Sequence, residues 1–244
     1  MAKRPAVVSS DLTPDWLERR DRMIAELCNQ TRRSVTDLGK GLSLHQLQQV
    51  LEHQNPFTTP DTKAGEWQEF YQDVFGWDTD FSNLQIPPER DGFGWLIVVT
   101  KGLTINLVFD KLTERTKTWR YTNDLDKAVT ENDREPNTDY CLWIRDRVEA
   151  DEKNKNLSAN QLKDRGHKGI TLLERLLLEL VYFLTTENHL DVKNWTLCSG
   201  SRSQDGNVPF VLWHLGNAKV GVSWCNAGSR DDNLRTRSVV SLSS

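Results

Sequence analysis

Long hydrophobic runs are missing from this chain. No stretch approaches the ~20 apolar residues that cross a bilayer, and the longest apolar-rich segment, 170–184, is broken by Glu174, Arg175 and Glu179. No membrane partner is expected. The start, Met1-Ala2-Lys3-Arg4-Pro5, is basic, but no apolar core precedes Ser9-Ser10-Asp11, so a signal peptide is not expected. Cysteine is sparse as well. Cys28, Cys141, Cys198 and Cys225 lie far apart, and a chain of this size builds a core without disulfide staples. Reduced thiols and a cytoplasmic location follow as expectations. A dominant charge is also lacking: 31 basic and 35 acidic residues give a net charge of −4. No segment forms the basic stripe that a phosphate backbone requires.

What is present is enough for a packed core. Hydrophobic residues make up 37% of the 244, nine of them tryptophan, which excludes a disordered chain. Thr13-Pro14-Asp15 opens a helix with a hydroxyl cap, proline in the first turn and an acid behind it. Ser43 to Gln46 is a capping box for a helix over 44–52, and the spacing of Trp67, Phe70, Tyr71, Val74 and Phe75 predicts a third helix over 64–75. Pro87-Pro88 and Asp91-Gly92 then mark a boundary. Trp95 to Thr100 reads as a buried strand, and Tyr140 to Arg145 as another, with helical segments between them as in an α/β layer. Capping boxes at Ser158-Gln161 and Thr171-Glu174 open two helices, the second apolar nearly all round and so a buried centre. Strands at 195–198, 208–214 and 220–225 follow, with a last one at 238–242 that closes the same sheet. The fold class is therefore α+β: a helical N-terminal section (1–86), then a domain (87–244) with a mixed α/β middle and a C-terminal antiparallel sheet packed on the buried helix.

Four runs, WIRDRVEADE (143–152), NLSANQL (156–162), GITLLERL (169–176) and WTLCSGSR (195–202), resemble an uncharacterised bacterial protein family common in candidate-phylum genomes. The resemblance covers roughly residues 50–244. It implies a prokaryotic origin and carries over no catalytic residue.

Several clusters invite a chemical reading, each beside a plainer one. Asp146, Glu149 and Asp151, followed by Glu152 and Lys153, have the carboxylates and lysine of an Mg²⁺-dependent nuclease or phosphoesterase. The same alternation of sign fits a solvated helical face with Arg145 and Arg147. Cys141, Cys198, Cys225 and His214 fall on strands, but no close Cys-x-x-Cys pair supports zinc, and core packing explains them equally. Ser199 to Ser203 is a small loop able to hold an anion on its amides and Arg202, with Arg235 and Arg237 adding charge; a plain hairpin is the alternative. It lacks both P-loop spacing and a nucleophile elbow. Lys101 to Thr104 reads as a strand-to-helix turn. Arg19, Arg20, Arg22, Arg32 and Arg33 admit a DNA-reading helix pair, against the acids between them. Exposed tryptophans, with Trp16, Trp67 and Trp77 as candidates, would suit a protein interface.

The leading expectation is a non-enzymatic, cytoplasmic protein-interaction or regulatory module without a cofactor. Its candidate binding residues are Ser201, Arg202, Arg235, Arg237, Trp67 and Trp77. The alternatives are the Mg²⁺ enzyme at Asp146, Glu149 and Asp151, and nucleic-acid or anion binding through Arg202, Arg235 and Arg237.

Overall fold

The computed structural model describes residues 60–242, together with Ala25, which is helical. The chain divides into two compact units, Met1–Thr58 and Thr59–Ser244. The helices expected at 13–30 and 44–52, Trp16, Cys28 and the arginines between 19 and 33 lie outside the described residues. The second unit begins before the Pro87-Pro88 boundary, because helix α1 (Pro60–Phe75) packs on the same core as the residues beyond it.

The second unit is mixed α+β. Strand β1 (Trp95–Val99) leads through Thr104, whose hydroxyl accepts from Leu107 N, into α2 (Ile105–Arg115). Then follow β2 (Thr118–Arg120), α3 (Leu125–Ala128), β3 (Val129–Asn132) and β4 (Tyr140–Ile144). Both capping boxes form with both reciprocal bonds. The Ser158–Gln161 box opens α4 (Ala159–Asp164), and the Thr171–Glu174 box opens α5 (Leu172–Thr186). The rest is β5 (Trp195–Leu197), β6 (Ser201–Ser203), β7 (Val208–His214), β8 (Lys219–Cys225), β9 (Leu234–Arg235) and β10 (Val239–Ser241).

Three sheets result. β1-β4-β10 is antiparallel; β2-β8-β7-β5-β9 is antiparallel at its centre, with β2 and β9 joining in parallel; β3 pairs with β6. The middle alternates strand and helix as expected, but its strands divide among the three sheets instead of forming one layer. β1 and β4 are direct antiparallel neighbours, while β2 crosses to the five-stranded sheet. Nor does the last strand close the C-terminal sheet, since β10 lies beside β4, with Val239 opposite Ile144. Val211, Val220 and Val222 of the five-stranded sheet join Leu172, Leu176, Leu177 and Leu180 of α5 in one core. The buried helix expected at 170–186 is thus the centre of the unit, as α5 (Leu172–Thr186).

Helix α1 also closes a sheet edge. β1 ends its sheet, and an open edge exposes peptide groups. Trp67 Nε1 donates to Leu96 O at 3.1 Å, and Tyr71 donates its hydroxyl to Val98 O at 2.8 Å while accepting from Thr100 N at 3.3 Å. Both side chains are buried. Tyr71→Phe would leave the Val98 carbonyl and Thr100 amide without that partner in a dry interior. A loss of about 1–3 kcal/mol in unfolding free energy is expected from urea denaturation; an unchanged midpoint would show that the hydroxyl does not hold the edge.

Candidate functional site

Four charged residues of the second half of the chain converge inward. Arg175, Glu179 and Asp191 are fully or almost fully buried, and Arg237 is 2% exposed. Arg175 donates Nε and Nη2 to Asp191 Oδ2 at 3.0 and 2.7 Å, and Nη1 to Glu179 Oε2 at 2.7 Å. Arg237 donates Nη2 to Asp191 Oδ1 at 2.6 Å and to Val148 O, and Nη1 to Arg147 O. Thr196 donates its hydroxyl to Asp191, and Ala150 N donates to Asp191 Oδ1. Two guanidinium groups thus face two carboxylates, with Asp191 at the centre. Glu179 Oε1 accepts from His189 Nδ1, whose ring is stacked on Trp213 with centroids 3.6 Å apart. Burial alone would raise the Asp191 pKa, but Arg237 and Arg175 outweigh it and hold the carboxyl below its ordinary value of 3.8.

The residues of the expected anion site make contacts within the chain in this arrangement. Arg237 is interior, closed on Asp191 and two carbonyls, and cannot meet a ligand. Arg235 pairs with Glu152. Arg202 donates Nη1 to Ser199 O and Ser201 O. The loop amides are occupied too: Ser199 N, Gly200 N and Ser201 N donate to Leu197 O, Ile170 O and Cys198 O. Ser201 is fully buried, and its hydroxyl accepts from Leu172 N and donates to Asn132 Oδ1. It fixes the start of α5 rather than a ligand.

The acidic run also differs from both its readings. Residues 147–151 are irregular and lead into a single 3-10 turn, Glu152–Asn154. Asp151 is buried, accepting from Ser238 N and Ser238 Oγ, with Arg145 Nε 3.5 Å away. Glu149 accepts from Lys193 N and Asn194 Nδ2, while Asp146 is exposed. Glu149 and Asp151 therefore serve separate partners, and Asp146 faces solvent. No group of three or more metal-binding side chains forms among the described residues.

Cys141, Cys198 and Cys225 are free thiols. Burial pushes Cys141 up to about 12 and Cys225 to about 11, so neither is a thiolate near neutrality. A cleft of about 760 Å³ is bordered by Asp133, Arg134, Asp139, Tyr140 and Lys168. Much of its chemistry is internally engaged. Arg134 and Tyr140 hold Glu174, and Asp139 accepts from Thr100 Oγ1 and Lys101 N.

The tryptophans sort differently from expectation. Trp67 is buried against β1, and Trp77 is half-buried, stacked on Tyr71 at 6.4 Å. Neither is an exposed anchor. The exposed pair is at the end of β2, Trp119 on the strand and Tyr121 just after it: Trp119 is 37% and Tyr121 73% exposed, edge to face at 6.4 Å, with Lys219 Nζ 5.7 Å from the Trp119 ring. Thr118 and Arg120, alternating with them, turn to α2, where Thr118 Oγ1 meets Thr113 and Arg120 lies over Phe109. The signal was the alternation Lys117-Thr-Trp-Arg-Tyr121, aromatic on one face and polar on the other. Trp119 lies opposite Gly221, so it shares a sheet face with Ser223, Phe210 and Trp195, and the Phe210–Trp195 end of that face packs in a second cluster with Ala159 and Leu162 of α4. Trp195 and Phe210 stack on each other there at 5.4 Å.

No family model matches the chain, and no curated protein or solved structure matches it. Among the described residues, no helix is long and apolar enough to cross a membrane.

Asp191→Asn would leave Arg175 and Arg237 facing each other without their shared anion. A loss of about 3–5 kcal/mol is expected from denaturant unfolding, larger than for an exposed acid such as Asp146→Asn. The pH dependence follows from the depressed folded pKa. The stabilisation is fully present above the unfolded value near 3.8 and disappears as pH falls through the lower folded value. Wild type should therefore lose stability below about pH 4 more steeply than Asp191→Asn; parallel curves would show that Asp191 titrates alike in both states.

Proposed function

We propose that this chain is a non-enzymatic, cytoplasmic protein-interaction module that binds its partner through the outer face of the five-stranded sheet around Trp119 and Tyr121. One observation carries the reading: two neighbouring aromatic side chains are exposed at the end of a strand otherwise fixed to the core. Aromatic residues concentrate binding energy when a partner covers them. Lys219 beside Trp119 adds one positive charge, and its stem lends apolar area. Residues first considered for this role, Trp67 and Arg237, hold the fold instead.

Support also comes from what the other clusters do. Glu149, Asp151 and the arginines at 202, 235 and 237 bond within the chain itself, which weakens the Mg²⁺-enzyme and anion-binding readings. The free thiols suit a reducing compartment.

The test is a tagged pull-down from native lysate, treated with nuclease, run in parallel for wild type and Trp119→Ala/Tyr121→Ala. A partner held by wild type and weakened about 30-fold or more in the double variant is expected, as for loss of a hot spot of about 2 kcal/mol. Equal recovery with both chains, at equal melting temperature, would place the contact elsewhere. Loss of all bound material on nuclease treatment would favour nucleic acid.

A further inference from the structure

We propose, resting on that reading, that the free edge of β2 accepts an extended acidic segment of the partner as a sixth strand of the sheet. β2 is the terminal strand in the order β2-β8-β7-β5-β9. Val220 N donates to Lys117 O, and Tyr121 N donates to Val222 O. With a period of two, residues 117, 119 and 121 bond β8, and the peptide groups of Thr118 and Arg120 point away from it. Among the described residues, neither a backbone group nor a side chain bonds those outward groups.

The three-stranded sheet treats its edges differently. Trp67 and Tyr71 cover the β1 edge, and Ile170 N and Val239 N bridge the segment before α5 to β10 through Arg237 O and Lys168 O. An uncovered edge is a template for an incoming strand.

The chemistry of the partner follows from the two sides of that edge. On the outer face stand Lys117, Trp119, Tyr121 and Lys219, and no strand residue on that face of β2, β8 or β7 is acidic. Every second side chain of the incoming strand meets this patch, so aspartate, glutamate and apolar residues suit it. Those between face α2, where Arg120 already lies 3.8 Å from Asp110 and donates to Asn106; small polar residues suit that side. Peptide groups at strand spacing match another polypeptide, whereas a nucleic acid has no such ladder. A protein segment is therefore the occupant argued for.

The probe is a displayed library of short random peptides, panned on the full chain and counter-selected against Trp119→Ala/Tyr121→Ala. Enriched peptides should be acidic and free of proline across the contact. Thr118→Pro removes one outward N–H without touching the bonds to β8, and Thr118→Ala controls for the side chain. The leading peptide should bind Thr118→Pro about tenfold or more weakly, with Thr118→Ala near wild type. Because Thr118→Pro has the chance to misfold, hydrogen exchange on wild type is the second readout: bound peptide should protect the Thr118 and Arg120 amides. Peptides that need Trp119 and Tyr121 but leave both amides unprotected would overturn strand addition and spare the aromatic-face reading. Basic peptides, or an oligo-dT that outcompetes them, would overturn the assignment of an acidic protein segment. Failure to enrich any peptide over the double variant would count against both readings.

Discussion

Asp191 is the residue on which the rest of the second unit depends. It sits between two arginines from distant parts of the chain, Arg175 on the central helix and Arg237 before the last strand. Arg237 also reaches Arg147 O and Val148 O, so the irregular segment after β4 is tied to the same point. A buried pair of this kind is a weak source of net stability, because desolvation offsets most of the attraction. Its effect is to make one arrangement far better than its neighbours. With two guanidinium groups and two carboxylates closed on each other, any slip of α5 or of residues 234–239 strands a charge in the core. The apolar core supplies the drive to collapse, and the ion cluster fixes the register in which it collapses.

This explains which parts of the fold were legible. Local signals held: both capping boxes are present with their reciprocal bonds, and the continuous apolar run at 95–99 is a buried strand. These depend on neighbours within a few positions. Charged residues were misplaced because their partners are remote. Asp151 meets Ser238 across 87 positions and Glu149 meets Lys193 across 44, so a local reading of 146–152 saw only helical pairing. Arginine is ordinarily exposed, and nothing adjacent to Arg237 marks it as interior. The partner of β10 was equally hidden, since three residues of strand specify little about which sheet they join.

The tryptophans repeat the point in reverse. Trp67 and Trp77 lie on an aromatic-rich segment and looked available for a partner, yet Trp67 and Tyr71 hold the edge of β1 with their polar atoms. Trp and Tyr suit that task, since each buries a large apolar body and still brings a donor to a carbonyl. Trp119 and Tyr121 show the opposite arrangement. Their strand is fixed by bonds to β8 and by Thr118 and Arg120 on α2, so the chain does not need the aromatics for packing there.

That contrast gives the surface its meaning. An exposed tryptophan alone is ordinary, because much of any protein surface is apolar. Here it stands on a terminal strand whose outward peptide groups have no partner among the described residues, while α1 covers the corresponding edge of β1. Stability would be served by covering β2 in the same way, and edges left open invite aggregation. A fold that closes one edge with two aromatic side chains and presents two aromatic side chains beside another is using the same residues for opposite ends. Packing accounts for the first pair; the partner strand proposed above would account for the second.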